Sequence, residues 1–344
     1  MTDEAAMQLA LVEARRGIGL TSPNPPVGAV ILGPGGEVLG SGWHRQAGGP
    51  HAEIEALRAA AAAGHNTAGA AVFITLEPCS THGRTPPCVE ALIAAKPARV
   101  VWGAQDPNPA HLGRAELLLK NSGISVTTGV CGRECAEILQ PFSKRIRTGL
   151  PWVVAKAGMS LDGKITRPLG EGQWITSAEA RLDAMSLRLH ADAILVGAET
   201  VRADNPSLTL RGIEIPSGKC QPWRCVLTRS GNLPSNSTIF TDSHQQRTIV
   251  FPNIPLDAVL RDLARRGVMS VLIEGGGQLL ASAFSAGLVD EVIFYVAPLI
   301  SGNGLPVVNE RMFAGSSVAL EFRNFQQTGP DLRIQARIRK EDSP

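Results

Sequence analysis

Apolar positions along the chain switch period repeatedly, from short continuous or alternating runs to spacings of three and four, and the two patterns take turns almost throughout. Runs rich in Val and Ile at 27–32, 71–75, 99–104 and 125–128 read as strands. Residues 37–42 resume an extended pattern after the turn Gly33-Pro34-Gly35-Gly36, which makes a hairpin of the first pair. Helices are expected over 51–63, from Pro87 onward, over 115–121 and over 134–147. Proline suits a first helical position because its missing N–H would have no partner there. Further strands are expected over 153–157, 193–196, 224–228, 248–251 and 271–273. Thr176-Ser177-Ala178-Glu179 has the form of a capping box that opens a helix over 177–190. The strand at 271–273 runs into Glu274-Gly275-Gly276-Gly277 and then an apolar helix. Such a turn can offer backbone N–H groups to a phosphate, and it is equally a plain tight strand-to-helix connection. Alternation of this kind specifies an α/β architecture, with helices covering sheets.

At 344 residues the chain has room for two domains of roughly 150 residues each. Thr148-Gly149-Leu150-Pro151 is the best boundary, since it ends a helix with a breaker and precedes a fresh strand. The expected organisation is therefore a domain over 1–147, a linker over 148–151 and a second domain over 152–344, with 341–344 as a frayed tail. Hydrophobic residues at 44% and charged ones at 19% exclude disorder for most of the chain. The 33 basic and 31 acidic residues leave +2, which argues against a broad footprint for nucleic acid. There is no uninterrupted apolar run of ~18 residues, and the acidic start Met1-Thr2-Asp3-Glu4 stands where a signal peptide would be basic. A cytoplasmic protein without membrane contact is expected. Six cysteines are few for this length and point to a reducing compartment, with metal-binding or structural thiols.

The chemistry concentrates between residues 51 and 88. His51-Ala52-Glu53 sets an imidazole and a carboxylate two residues apart at a helix start, and Cys79 and Cys88, each preceded by proline, add two thiols. One imidazole and two thiolates neutralise Zn²⁺ and leave a fourth position open for water, the mark of a catalytic rather than a closed structural site. Bound zinc brings the pKa of that water to ~7, and Glu53, not itself a ligand, can carry its proton. The pattern H-x-E…P-C departs from the zinc-deaminase signature in having eight residues between its cysteines rather than two. The blander alternative makes His51 and Glu53 a solvated first turn and the cysteines buried thiols. Cys131, Cys135, Cys220 and Cys225 have no complement at a familiar metal spacing and read as structural.

These motifs resemble the bacterial RibD family of riboflavin biosynthesis, which are bifunctional pyrimidine deaminases and reductases. In the first half the resemblance rests on Thr21-Ser22-Pro23-Asn24-Pro25-Pro26-Val27-Gly28, Gly42-Trp43-His44, Gly48-Gly49-Pro50-His51-Ala52-Glu53, Thr75-Leu76-Glu77-Pro78-Cys79, Gly83-Arg84-Thr85-Pro86-Pro87-Cys88 and Asp106-Pro107-Asn108-Pro109. The eight-residue spacing is the family's own. In the second half it rests on Lys156 to Lys164, Gln173-Trp174-Ile175-Thr176-Ser177, Asp192 to Gly197, Asp204 to Thr209, Glu274-Gly275-Gly276 and Ala297-Pro298-Leu299. The resemblance implies a cytidine-deaminase-like α/β/α domain with zinc, followed by a dihydrofolate-reductase-like α/β domain that uses NADPH. It further implies one Zn²⁺ on His51, Cys79 and Cys88, proton transfer by Glu53, and substrate contacts from Asn24, His44 and His82. In the second domain it places Lys156 and Glu274 near the reacting or ring groups and Arg188 and Arg211 on the sugar phosphate. Gly158, Trp174, Thr200, Asp204, Gly275, Gly276 and Gly277 fall to the cofactor. The implied partners are small phosphoribosylaminopyrimidines and further copies of the chain in a homo-oligomer.

Two departures bear on these assignments. The loop after Cys79 reads Ser80-Thr81-His82, with histidine one place later than is common in the family, and Gly172 stands where the family commonly has serine before Gln-Trp. Two other classes of function share the zinc motif: a nucleic-acid base deaminase with an accessory domain, and a non-catalytic zinc-stabilised binding protein. The first lacks a basic balance of charge. The second leaves the open metal position and Glu53 without a purpose.

Overall fold

The computed structural model describes residues 1–82, 86–109, 111–309, 313 and 317–339. The motif residues Gly83, Arg84 and Thr85 and the expected tail at 341–344 lie outside them. The chain divides into two compact units, Met1–Gly149 and Leu150–Pro344.

In the first unit β1 (Gly28–Leu32), β2 (Val38–Trp43), β3 (Ala71–Leu76), β4 (Arg99–Ala104) and β5 (Ser125–Thr128) form one sheet in the order β2-β1-β3-β4-β5. β1 pairs antiparallel with β2 and with β3, and β3, β4 and β5 run parallel. Helices α1 (Asp3–Arg15), α2 (Ala52–Ala62), α3 (Cys88–Ala95), α4 (Arg114–Asn121), α5 (Gly132–Ile138) and α6 (Gln140–Thr148) complete it. Alternate strand residues serve the two faces: Val30, Phe73 and Val101 pack under α1 and α5, while Ile31, Ile74 and Trp102 pack under α2, α3 and α4. The close seat of α1 depends on Gly28, where a Cβ would stand 2.0 Å from the Ala10 carbonyl.

The second unit is built on eight strands in the order β12-β13-β11-β6-β10-β7-β8-β9. These are β6 (Trp152–Ser160), β7 (Ala193–Gly197), β8 (Trp223–Thr228), β9 (Thr248–Pro252), β10 (Ser270–Ile273), β11 (Glu291–Ala297), β12 (Leu320–Thr328) and β13 (Asp331–Ile338). The six from β11 to β9 are parallel and β12 and β13 are antiparallel additions. Helices α10 (Leu256–Arg265) and α11 (Gly277–Ser285) bury one face, with α7 (Ala178–His190), α8 (Ala198–Asp204) and α9 (Thr238–Thr241) on the other. Among the described residues, no helix is long and apolar enough to cross a membrane.

The elements depart from the sequence expectation at the α5–α6 junction and at Pro87, and β11, β12, β13, α8, α9 and α10 had no counterpart in it. The single helix over 134–147 is two, α5 and α6, which meet at Leu139. Pro141 lacks the N–H that would bond Glu137 and its ring crowds that carbonyl, so the first helix must end. Pro87 caps α3 from an extended conformation, φ −60° and ψ 135°, instead of occupying its first turn. Helix α1 had none either. Its buried face is Ala6, Met7, Ala10, Leu11 and Ala14, in which three alanines blur the apolar stripe.

Candidate functional site

The loops at the ends of β3, α2 and α3 bring the three expected metal ligands together. His51 precedes α2 as its N-cap, Cys88 is the first residue of α3, and Cys79 follows β3 by three residues. One donor atom from each lies within 4.8 Å of the other two. His51 Nδ1 is 3.2 Å from Cys88 Sγ and 3.5 Å from Cys79 Sγ, and the Cys88 backbone N–H donates to Cys79 Sγ at 3.3 Å. Donors bonded to one zinc ion at ~2.0–2.3 Å must stand about this far apart, so the set fits the metal by geometry and by chemistry. Hydrogen bonding from Cys88, helped by His51, holds the Cys79 thiol down to about 4. Cys88 is pushed up by the same bond and by burial. A cavity of about 560 Å³ opens beside them, lined by Pro50, His51, Ile54, Arg58, Pro87 and Cys88 among others.

Glu53 is the second residue of α2 and only 3% exposed, within hydrogen-bonding reach of Cys88. Burial pushes its carboxyl up, against the pull of His51. Asn24 and His44 belong to the same cluster. His44 Nδ1 is 2.9 Å from the Pro50 carbonyl, which can only accept, so that nitrogen carries the proton. Nε2 then accepts from the Asn24 amide at 3.0 Å. Burial also lowers His44, which keeps the ring neutral, and it stands edge-on to His51 with ring centres 5.2 Å apart. His82 is exposed and reaches toward Glu90 at 3.8 Å. Glu77, which the sequence presents only as part of a motif, also takes a defined place. Its buried carboxylate accepts the Asp106 N–H at 3.3 Å and faces the Gly113 and Ala115 amides at the start of α4. A glutamate two residues before a ligand cysteine at a strand end was its only signal.

In the second unit a charged cluster forms at the carboxyl end of the parallel strands, where open α/β sheets place their ligands. Arg188 on α7 donates through Nε and Nη2 to the two oxygens of Glu274 at 2.6 and 2.8 Å, and through Nη1 to the Thr209 carbonyl at 3.0 Å. Both side chains of the pair are under 10% exposed. Burial would push Glu274 up, but Arg188, its hydrogen bonds and Lys156 outweigh this and hold the carboxyl below its usual range. Lys156, partly buried on β6, is lowered by desolvation and supported by Glu274. Arg211 feels both Arg188 and Glu274, and its Nη1 donates to Ser207 Oγ at 2.7 Å. The four residues expected at the sugar-phosphate substrate are thus brought together, but Arg188 spends three nitrogens inside the protein and acts as the counter-ion of Glu274. Arg188→Met is expected to cost about 3 kcal/mol, because it leaves a buried carboxylate without its partner, and a denaturant titration reads the loss.

The glycine turn sits beside this cluster. Gly275 has φ +92° with nothing within 4 Å of a Cβ built on it, and Gly276 caps α11. Thr200 on α8 would meet a Gly276 Cβ at 3.6 Å, so these two cofactor candidates are neighbours. Gly277 is held by packing, with the Pro306 carbonyl 2.3 Å from where its Cβ would be. Gly158 lies within β6 and its Cβ position is filled by Thr176 Cγ2 at 2.9 Å. Asp204 ends α8 at the surface. Trp174 is 57% exposed, with the Arg181 guanidinium 4.6 Å above its ring and its carbonyl bound by Arg167. Gly172 has φ +94°, so a serine there is strained whatever hydroxyl contact it gains. Gly172→Ser is therefore expected to lose about 1 kcal/mol of stability in a thermal melt without raising the rate of reduction.

Comparison with known proteins agrees with both halves. Residues 1–104 match the cytidine and deoxycytidylate deaminase zinc-binding region, and residues 151–334 match the RibD C-terminal domain. The riboflavin biosynthesis protein RibD of Escherichia coli K12 is 38% identical, over 96% of this chain and 98% of its own length. That of Mycobacterium tuberculosis H37Rv is 39% identical over 96% of each. Among solved structures, Acinetobacter baumannii RibD superposes with a TM-score of 0.87 at 35% identity, covering 98% of this chain and 99% of that one. A Thermotoga maritima diaminohydroxyphosphoribosylaminopyrimidine deaminase/5-amino-6-(5-phosphoribosylamino)uracil reductase gives 0.88 at 32% identity, with 98% of each covered.

Proposed function

The chain belongs to the RibD family, the bifunctional deaminases and reductases of riboflavin biosynthesis, and on that premise we propose the substrates and the residues of its two reactions. The first unit takes 2,5-diamino-6-(5-phosphoribosylamino)pyrimidin-4(3H)-one and replaces its 2-amino group by oxygen, releasing ammonia. The second takes the product, 5-amino-6-(5-phosphoribosylamino)uracil, and reduces its ribosyl group to ribityl. The observation that carries the reading is the convergence of His51, Cys79 and Cys88 with a buried, non-ligating Glu53 beside them.

His51, Cys79 and Cys88 hold one zinc ion, which when bound supplies a Lewis acid that acidifies water at the ring carbon. Glu53 takes the proton from the attacking water and returns it to the departing amino nitrogen. Asn24 and His44, locked to each other and to Pro50, form a rigid wall for the pyrimidine, and His82 stands at the outer loop. In the second unit the open turn at Gly275 and the start of α11 suit the phosphates of NADPH, with Thr200, Asp204, Gly158 and Trp174 along the remaining length of the dinucleotide. NADPH, when bound, supplies the hydride for C1 of the opened sugar. Lys156 and the ionised Glu274 orient the reacting end of the substrate, and Arg211 holds its phosphate.

The near balance of charge, +2 over the chain, supports a small-molecule substrate and not a nucleic acid. We place the enzyme in the cytoplasm as a homo-oligomer. The edge strand β12 supports the assembly, since Phe322 and Phe325 meet on it with tilted rings 4.8 Å apart while both remain more than half exposed. The purified chain should release ammonia from the diaminopyrimidinone without NADPH and oxidise NADPH only once that product has formed. Release of ammonia that required NADPH, or none at all, would overturn the reading.

A further inference from the structure

Asp162 is a surface carboxylate, yet it is bound like a buried one. Ser160 Oγ donates to Oδ1 at 2.5 Å, the Ser301 N–H to Oδ1 at 2.9 Å and the Gly302 N–H to Oδ2 at 2.8 Å. These bonds hold its carboxyl down to about 2. Two loops far apart in sequence, the one after β6 and the one after β11, are joined at this point. The seam continues along both. Leu161 N–H donates to the Leu299 carbonyl, Ile165 N–H to Leu305 and Val307 N–H to Gly163, all at 2.8–2.9 Å. Thr166 accepts from the Ser301 hydroxyl at its carbonyl and from the Leu305 N–H at its own hydroxyl, each at 2.7 Å.

The far end of this seam touches the glycine turn. The Pro306 carbonyl occupies the place of a Gly277 Cβ, and the Asn309 N–H donates to the Gly277 carbonyl at 3.1 Å. A shift of segment 299–307 therefore moves the first residue of α11. We propose that Asp162 is a positioning residue for the reductase, which by binding Ser301 and Gly302 fixes segment 299–307 against Gly277 and so sets the place of the turn that receives the dinucleotide. The proposal rests on the reading of Gly275, Gly276 and Gly277 as the cofactor turn.

The test is direct NADPH binding to the full chain, followed by fluorescence, in three variants. Asp162→Ala is expected to weaken binding about tenfold, the equivalent of one charge-assisted hydrogen bond. The loss falls on the KM for NADPH and not on kcat at saturation. Asp162→Asn keeps one acceptor and should weaken binding about threefold. Because Asp162 is exposed, its truncation strands no buried charge, and the melting temperature should stay within a few degrees. Thr200→Asp places a negative charge next to the turn without touching the seam, and it checks the cofactor reading on its own. Weaker binding in Thr200→Asp with unchanged binding in Asp162→Ala would overturn the positioning role alone. Unchanged binding in both would overturn the cofactor turn and the proposal with it. A fall in melting temperature with an unaltered NADPH affinity would reduce Asp162 to a structural contact and reject the proposal.

Discussion

Glu53→Gln should retain its full complement of zinc and lose ammonia release by a factor of about 10²–10⁴, the range expected when a positioned acid–base group is removed. Glutamine keeps the size of the side chain and an acceptor oxygen, so the buried slot beside Cys88 stays filled and the ligands His51, Cys79 and Cys88 stay in place. What it cannot do is take a proton from water and hand it to a leaving nitrogen. Burial at 3% exposure makes the distinction sharp, because no bulk water can stand in for the missing carboxylate. Metal analysis of the variant separates the two possible failures. Lost zinc would mean that Glu53 supports the ligand set, whereas full zinc with undiminished ammonia release would remove it from the mechanism. The reductase, supplied directly with deaminated substrate, should be unaffected in either case.

The three-donor cluster of His51, Cys79 and Cys88 was legible in the sequence because each residue marks the start of a helix or the end of a strand. His51 follows Gly48-Gly49-Pro50, Cys88 follows Pro86-Pro87, and Cys79 follows a β-run closed by Pro78, so local signals alone bring three donors to element ends. Partner choice was not legible. Arg188 and Glu274 are 86 residues apart, and nothing local tells a guanidinium whether it will face a phosphate or a carboxylate. The same holds for Glu77 and, apart from Ser160, for Asp162, whose partners are backbone N–H groups, which carry no sequence signature of their own. On the fold, the run Ala193–Gly197 was plain as a strand buried on both faces because it is continuously apolar, whereas the equally apolar Glu291–Ala297 was left unassigned. β12 was not plain, because nearly every side chain on this edge strand is exposed and no buried face imposes a pattern. α10 differs again: Leu256, Val259, Leu260 and Leu263 carry a clear helical period that the reading above leaves unassigned.

Lys156→Ala should lower kcat/KM for reduction by about 10²–10³, the usual cost of deleting one charged group aimed at the reacting centre, while ammonia release stays within twofold of the native rate. The variant should fold, since the bidentate Arg188–Glu274 pair keeps its geometry and its charge balance when the lysine is gone. Burial lowers the Lys156 ammonium from its ordinary range near 10.5, and this gives the native enzyme a second signature. If the charged form is the working one, reduction must fall as pH rises through that lowered value, in a window below 10.5, and not on the acid side. The alanine variant has no such group, so its residual activity should lack that alkaline limb. A native profile without the limb would leave Lys156 as a neutral contact. Full NADPH oxidation in Lys156→Ala would remove it from the site altogether. Loss of both activities in a variant with a native melting temperature would instead show that the two units do not work independently, since Lys156 lies in the second and the zinc ligands in the first.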